Sequence, residues 1–288
     1  MFVRAGYHGL PPYEDHIGLW ARDLSRWVPE RVFDGHVHLG PPEAMGALSA
    51  RRAKEPLCTF ASLTWDQLRA GYGRLFSGKR IEGLIAFRFP LREVDVDASN
   101  DWLAGVMAAE ARVKGFFLAH PTDAGHARAT FDRALARGAR FRGAKPYFDF
   151  LGKSNYETAM PEFIPAGLLD LLNAEGLVMM LHTSGRGMGV AENQDYLRRT
   201  LEGYPRLRII LAHMGRYLEA EDFFRFADSG LLEHPRLYLE MSSASRRDVY
   251  ERALAVASLR DRLIFGSDAP FGCLTGVEAW SRETGPVF

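Results

Sequence analysis

Six residues with metal-binding side chains stand where short apolar segments of the chain end. They are Asp34, His36, His38, His182, His213 and Asp268. Neutral imidazoles and carboxylates are good ligands for Zn²⁺, and they also bind Fe, Co or Mn. A bound divalent ion of this kind lowers the pKa of water from about 15.7 to about 7, which makes hydroxide available at neutral pH. The residue types therefore predict a metal-dependent enzyme.

Alternation along the first predicted strand indicates how two of these histidines reach one ion. Residues two apart on a strand share a face, so Asp34, His36 and His38 are expected on one face. Phe33 and Val37 are then expected to face surrounding helices. Each signal also has a structural interpretation: strands carry occasional histidines, and Asp268, which stands two residues before Pro270, could be only a helix N-cap. The joint pattern at several strand ends favours a metal site.

The elements that must position these residues alternate between strand and helix. Predicted strands cover 31–40, 81–90, 114–121, 141–150, 177–185, 207–215, 236–243 and 262–270, with amphipathic helical segments between them. Eight parallel strands close a (β/α)8 barrel, whose catalytic face lies at the carboxyl ends of the strands. An open doubly wound sheet is the alternative, but no Gly-rich phosphate loop follows the first strand.

The barrel is expected to form a single domain over 1–288. Residues 1–30 form an N-terminal helical extension with a helix over Tyr13–Trp27, and 39–80 form an insertion after the first strand. Few residues follow the eighth strand, so we expect a short last helix and a weak contact between strands 8 and 1.

Composition restricts the partners. Lys and Arg number 36 and balance 36 Asp and Glu, which argues against nucleic acid as a partner. No signal peptide or membrane-spanning segment is apparent, and the two cysteines form no disulfide framework. We therefore expect a cytoplasmic protein whose partner is a small-molecule substrate.

The motifs FDGHVH, LHTSG, ILAHMGR and IFGSDAP, in this order, resemble the amidohydrolase superfamily, and most closely its amidohydrolase-related branch. The resemblance extends from about residue 31 to 272. It implies that His36, His38, His182 and Asp268 bind one divalent metal, most simply Zn²⁺. It also implies that His213 is a catalytic acid/base or polarises the substrate, and that Asp268 shuttles the proton of water. Relatives are often dimers, so a homodimer is expected.

Four further residues could bind a carboxylate of the substrate: Arg88, Lys145, Tyr147 and Arg216. Rim ion pairs are an equally good explanation of the arginines. Superfamily members with two metals carboxylate a lysine near the position of Lys145, but we expect one metal, with Lys145 contacting substrate or a carboxylate such as Asp149. Glu240 is expected to orient a ligand imidazole, and His120 to line the pocket. The loop from Gly185 to Asn193 could be a mobile lid or a simple connection.

Two reactions fit this ligand set. In a hydrolase, activated water attacks a C–O or C–N bond, Asp268 moves the proton, and His213 stabilises the oxyanion. In a non-oxidative decarboxylase of an aromatic or unsaturated acid, the metal holds the substrate carboxylate or an adjacent oxygen, and His213 or Asp268 protonates the ring or alkene carbon. A metal-free or non-catalytic relative is a third class, which the complete ligand set disfavours.

Overall fold

Eight short apolar segments form parallel strands that pair in the order of the sequence. The computed structural model describes residues 16–54, 58, 62–123, 125–244, 246–273, 279–281 and 285–287. The strands are β1 (Arg31–His38), β2 (Arg80–Phe87), β3 (Val113–Ala119), β4 (Gly143–Pro146), β5 (Val178–Leu181), β6 (Arg208–Leu211), β7 (Leu237–Glu240) and β8 (Leu263–Ile264). This is the predicted (β/α)8 barrel.

Helices occupy the connections. They are α1 (His16–Leu19), α2 (Trp65–Leu75), α3 (Val96–Ala109), α4 (His126–Ala136), α5 (Met160–Phe163), α6 (Ala166–Glu175), α7 (Ala191–Gly203), α8 (Ala220–Asp228) and α9 (Arg247–Ala255). The Thr64 hydroxyl accepts a hydrogen bond from the Gln67 amide at the start of α2, and the Asp95 carboxylate caps α3 in the same way. Within the described residues, no helix is both long and apolar enough to span a membrane.

The seam between β8 and β1 is closed by residues that follow the two-residue β8. The Gly35 amide donates to Phe265 O at 2.7 Å, the His38 amide to Ala269 O at 2.7 Å, and the Asp268 amide to His36 O at 2.9 Å. These bonds join the two segments that carry the predicted ligands. The contact expected to be weak therefore determines how His36 and His38 stand relative to Asp268.

Two apolar layers support the strands. Inside the barrel, six buried side chains pack together: Ile85, Phe87, Phe116, Met180, Ile210 and Ala212. A larger cluster fills the space between the strands and the helices, and it includes Val37, as predicted from strand alternation. Burial of this size is the main favourable term in folding. It makes the barrel a rigid support for the carboxyl ends of its strands.

The predicted alternation of faces fails at Asp34 and Phe33. Asp34 was expected on the face of His36 and His38, and Phe33 on the face towards the helices. The register between β1 and β2 shifts on both sides of this pair, and a Cβ on Gly35 would lie 2.3 Å from the Ile264 side chain. Because the strand is irregular here, the Asp34 carboxylate turns to Tyr72 of α2 rather than to the histidines, and accepts its hydroxyl at 2.7 Å. Phe33 lies against Gly83 with 44% of its surface exposed.

The ends of the chain differ in part from expectation. Of the predicted helix over Tyr13–Trp27, the first three residues lie outside the described part. The rest forms α1 followed by a π-helical turn at Trp20–Leu24, and Trp20 packs edge-on against Phe76. At the other end, β9 (Ala279–Ser281) and β10 (Gly285–Val287) form an antiparallel pair where a short helix was expected.

Candidate metal centre

Three of the four predicted ligands converge at the carboxyl ends of β1 and β8. Asp268 Oδ1 lies 2.9 Å from His38 Nε2 and 3.3 Å from His36 Nε2. The ligand atoms of His36, His38 and Asp268 all lie within 4.8 Å of one another, and all three residues are buried. Two imidazole nitrogens and a carboxylate oxygen at this spacing form one face of a coordination site for a divalent ion.

The burial and the neutral charge of His36 and His38 suit these two rings to bind a cation. His36 Nε2 is buried, and among the described residues it has no hydrogen-bond partner. Burial lowers the pKa of His36 and of His38 well below the usual value, and the positive charge of Lys145 lowers both further. Both rings are therefore neutral at pH 7 and offer lone pairs. An unpartnered buried nitrogen is costly unless a ligand such as a metal ion completes it.

Glu240, at the end of β7, orients this centre from behind, as predicted. It is fully buried, and its Oε2 accepts a hydrogen bond from His36 Nδ1 at 2.7 Å. That bond places the proton on Nδ1 and leaves Nε2 as the ligand atom. The same carboxylate also accepts the His213 amide at 3.3 Å. Glu240 thus connects a predicted ligand with the predicted acid/base.

The hydrogen bonds of His213 assign its tautomer. Its Nδ1 lies 3.1 Å from the carbonyl oxygen of Ser242 and 3.0 Å from the Ser242 hydroxyl, which donates to Glu240 at 2.8 Å. Both partners of Nδ1 are therefore acceptors, and Nδ1 carries the proton. Burial lowers the pKa of His213 to about 4. At neutral pH the ring is uncharged, and Nε2 has a free lone pair.

His182 packs against His213 rather than directly against His36, whose ring contacts His213. Its ring centroid is 5.3 Å from that of His213, and its Nδ1 donates to Thr183 O at 3.1 Å. Its Nε2 therefore carries a lone pair, but in the described structure His182 lies outside the group formed by His36, His38 and Asp268. The Tyr147 ring packs 5.2 Å from His182, and burial keeps its phenol protonated by raising its pKa.

Lys145 lies inside the barrel rather than beside Asp149. Its Nζ is 4.8 Å from the Phe87 ring centroid, and the side chain is 1% exposed. Burial lowers its pKa to about 8, an effect that the charges of Asp268 and Glu240 partly offset. Asp149, suggested above as its partner, instead forms ion pairs with Arg52 and Arg92.

Two other candidates have different surroundings. Arg88 Nη1 donates to Pro41 O at 2.9 Å and its Nη2 to the Ser62 hydroxyl at 3.3 Å, so its guanidinium anchors the insertion after β1. Burial lowers the pKa of Arg88 to about 10. His120 contacts Thr122 and stacks on Phe150, and no contact joins it to the ligand histidines in the described structure.

The loop after β5 forms a packed turn in the described structure. Residues 187–189 are buried in a short 3-10 turn. Asn193 donates to the carbonyls of Ser184 and Gly187, and Arg225 donates to Gly189 O. A Cβ on Gly187 would lie 2.1 Å from the carbonyl oxygen of Arg216. The contacts hold this loop against the turn that carries His213.

The model of the family described as Amidohydrolase matches residues 33–276. The chain belongs to this amidohydrolase family. The match begins just before the His36-x-His38 pair and ends beyond Asp268, so it covers every residue of the site described above. A comparison with curated proteins finds no match to this amidohydrolase.

Solved structures with the same fold show more than one kind of chemistry. An amidohydrolase from Burkholderia multivorans with bound zinc is 17% identical, with a TM-score of 0.57 over 85% of this chain and 87% of that one. A dihydroxybenzoic acid decarboxylase from Polaromonas sp. JS666 with bound manganese is 19% identical, with a TM-score of 0.54 over 83% and 87%. A 4-oxalomesaconate hydratase from Rhodopseudomonas palustris is 13% identical, with a TM-score of 0.54 over 88% and 85%. The family is enzymatic, and these likenesses establish the fold.

Sequence reasoning missed two serines of this amidohydrolase. Ser242 contacts His213 and Glu240, and the Ser243 hydroxyl donates to Asp268 Oδ2 at 3.3 Å. Ser243 also has a left-handed backbone, with φ of 55°. Within the described chain, the non-glycine residues with positive φ all follow β6, β7 or β8: His213, Met214, Arg216, Ser243 and Asp268. Such backbone strain clusters at functional sites, but a sequence does not reveal it.

Proposed function

We propose that this amidohydrolase is a metal-dependent hydrolase that uses water to break a C–O or C–N bond in a small carboxylate-bearing substrate. The observation that carries the proposal is the convergence of His36 Nε2 and His38 Nε2 on Asp268 Oδ1, beside a neutral His213. His36, His38 and Asp268 would hold a divalent ion, and His182 is the fourth candidate ligand. Such an ion polarises a carbonyl and lowers the pKa of water to about 7.

Asp268 is placed to move the proton. One carboxylate oxygen faces the ligand histidines, and the other accepts the Ser243 hydroxyl. In hydrolysis the carboxylate accepts a proton from the attacking water and passes it to the departing oxygen or nitrogen. The two oxygens have different neighbours: Oδ1 faces the ligand histidines, and Oδ2, which accepts the Ser243 hydroxyl, is the oxygen left to take up the proton.

His213 supports a hydrolase through its tautomer. Its Nε2 presents a lone pair, and its pKa of about 4 means that the ring is neutral and only weakly basic at pH 7. We therefore assign it the role of a hydrogen-bond acceptor that orients the attacking water for Asp268, in place of the oxyanion stabiliser expected from the sequence. A neutral ring with Nδ1 bonded to Ser242 has no N–H to offer an oxyanion.

Non-oxidative decarboxylation is the second candidate. The observation that favours it is Lys145, a buried cation whose charge acts on both His36 and His38 and could attract a reacting carboxylate. The solved structure of a dihydroxybenzoic acid decarboxylase with this fold is consistent with it. The neutral His213 ring has no proton on Nε2 to give to carbon, so Asp268 would have to deliver the proton in this reaction.

The test is product analysis on protein purified without a metal-binding tag. We expect about one divalent ion per chain, and loss of activity after chelation that Zn²⁺ or Mn²⁺ restores. The metal-loaded enzyme is incubated in ¹⁸O-water with carboxylate-bearing lactones, esters and amides, and with hydroxybenzoic acids. Incorporation of ¹⁸O into a product acid supports hydrolysis. Release of CO₂ from an acid without incorporation would replace the hydrolase by the lyase.

The role of Asp268 has a separate control. Asp268→Asn should lower kcat by orders of magnitude, whereas Asp66→Asn, a matched change at a residue whose side chain is 83% exposed on α2, should not. Near-normal turnover of Asp268→Asn with metal still bound would exclude the proton-transfer role.

A further inference from the structure

The guanidinium of Arg216 has an unused donor in an enclosed position. Its Nη1 is buried and forms no hydrogen bond with any described residue. No ion pair joins Arg216 to a described carboxylate, whereas Arg52 binds both Glu93 and Asp149. A buried donor left unpaired costs about 1–3 kcal/mol. Arg216 Nη1 therefore favours a ligand that carries a hydrogen-bond acceptor, and most strongly an anionic ligand.

The backbone that carries Arg216 is held in a strained conformation. The residues from His213 to Arg216 all have positive φ, including 55° at His213 and 54° at Arg216. The Arg216 amide donates to His213 O at 2.9 Å, and the Thr183 hydroxyl donates to Gly215 O at 3.0 Å. A left-handed conformation costs about 1–2 kcal/mol for each residue with a Cβ. This turn fixes the origin of the Arg216 side chain relative to His213.

Aromatic rings extend from Arg216 towards the metal centre. The Arg216 Cζ lies 5.9 Å from the ring centroid of Tyr156, which is 43% exposed and so stands at the rim. After burial, the positive charge of Arg216 is the next cause that lowers the pKa of His182, and it acts on Tyr147 in the same direction. These two rings are 5.2 Å apart, and His182 is 5.3 Å from His213. The side chains between the rim and the centre are therefore planar rings.

The other cations near the site have different environments. Lys145 acts on His36 and His38, so it lies closer to the bond-breaking end of the site. Arg88 gives both terminal nitrogens to the insertion after β1. The rings of His182, His213 and His36 follow one another at centroid distances of 5.3 and 5.1 Å. A group bound by Arg216, whose charge acts on His182, therefore lies near the His182 end of this row.

From these contacts we propose that Arg216 is the carboxylate-binding residue of the substrate site, and that it holds a carboxylate that stays intact while another bond of a flat, unsaturated or aromatic acid reacts at the metal centre. The planar guanidinium matches a carboxylate in a bidentate manner, which explains Arg in place of Lys. The inference rests on the proposed function only for the identity of the reacting bond.

The experiment measures binding rather than turnover, so it remains informative if the hydrolase proposal fails. The probes are benzoate, benzamide as its neutral analogue, and cyclohexanecarboxylate as its non-planar analogue. Dissociation constants are obtained by NMR titration of the full chain, once with Zn²⁺ and once after chelation. We expect benzoate to bind metal-free protein at least about 10-fold more tightly than benzamide, because hydrogen bonds to charged groups contribute about 1.5–3 kcal/mol.

Variants assign that preference to one residue. Arg216→Gln should reduce benzoate binding to the level of benzamide, and Arg216→Lys should give an intermediate affinity. Arg186→Gln, a matched change at a neighbouring exposed arginine, should leave benzoate binding unchanged. Tyr156→Leu should reduce the preference for benzoate over cyclohexanecarboxylate. Thermal melting of each variant confirms that it is folded.

Two results would overturn the proposal. One is benzoate binding to folded Arg216→Gln with unchanged affinity. The other is loss of benzoate binding from the parent protein on chelation, which would place the carboxylate on the metal. If metal-free binding depends on Arg216 but no C–O or C–N bond is hydrolysed, the carboxylate site stands and only the proposed reaction is rejected.

Discussion

Replacing Glu240 by Gln tests whether one buried carboxylate controls the metal centre. Its Oε2 accepts hydrogen bonds from His36 Nδ1, the His213 amide and the Ser242 hydroxyl, and its Oε1 accepts the Ser242 amide at 2.5 Å. Gln has the same shape but only one acceptor oxygen. If that oxygen takes the place of Oε2, the new NH₂ group faces the Ser242 amide, donor against donor. The opposite orientation leaves three donors unpaired instead of one.

The magnitude follows from these contacts. One unpaired buried donor should lower the free energy of unfolding of the metal-free protein by about 1–3 kcal/mol. Loss of the carboxylate behind His36 should weaken metal binding about 10–100-fold, which is about 1.4–2.7 kcal/mol. Metal affinity is measured by competition with a chromophoric chelator, and stability by urea unfolding of the chelated protein.

The control is Glu251→Gln, the same chemical change at an exposed residue of α9. It should alter neither the metal dissociation constant nor the unfolding free energy by more than about 0.5 kcal/mol. The reasoning is refuted if Glu240→Gln binds metal within about twofold of the parent protein. It is also refuted if the parent and the variant unfold at the same urea concentration.

Three further changes probe the elements around the centre. The pKa of Lys145 is lowered by burial to about 8, against about 10.4 in an unfolded chain, so between these pH values the unfolded state binds more protons. The unfolding free energy of chelated protein, measured by urea titration, should therefore rise by up to about 3 kcal/mol from pH 8 to about 10.5. In Lys145→Met this rise with pH should vanish. An equal rise in the parent protein and in Lys145→Met would argue against the buried ammonium. Tyr72→Phe removes the hydroxyl that donates to buried Asp34 at 2.7 Å, so thermal and urea unfolding should show a destabilisation of about 1.5–3 kcal/mol. A change in the free energy of unfolding under about 0.5 kcal/mol would contradict that hydrogen bond. Gly187→Ala places a Cβ 2.1 Å from a carbonyl oxygen of the turn after β6, at a residue with φ of 78°, so it should lower the free energy of unfolding by more than about 1–2 kcal/mol and weaken benzoate binding. Gly203→Ala, whose Cβ would have no atom within 4 Å, should leave stability unchanged or raise it. Similar effects of the two substitutions would rule out the close packing of the loop after β5.

Some of the site could be predicted because it depends on local pattern. The alternation of apolar strands with helices indicates a barrel, and the barrel implies that strand ends share one face. The sequence alone therefore predicts that His36, His38, His213 and Asp268 lie together. In the structure these four residues lie in contact with one another. His182 follows the same rule, although its ring stands next to His213 rather than in the group formed by the other three ligands.

Strand alternation gave a wrong expectation where the strand is irregular. Asp34 has the same spacing from His36 as His38 has, yet it faces Tyr72 of α2. The register shift between β1 and β2 is responsible, and it depends on the close approach of Gly35 to Ile264 across the barrel seam. A sequence pattern has no information on which residue of a distant strand approaches this closely.

The sequence by itself determined the chemical repertoire of this protein: neutral imidazoles and carboxylates at strand ends, and basic residues able to bind an acid. Only the tertiary structure decided how each group is used. It gave the terminal nitrogens of Arg88 to the insertion while leaving Arg216 Nη1 unpaired, and it set the Nδ1 proton of His213 through Ser242. The physical reason is that residue type specifies what a side chain can donate or accept, whereas tautomer, pKa and availability depend on neighbours that are distant in the sequence.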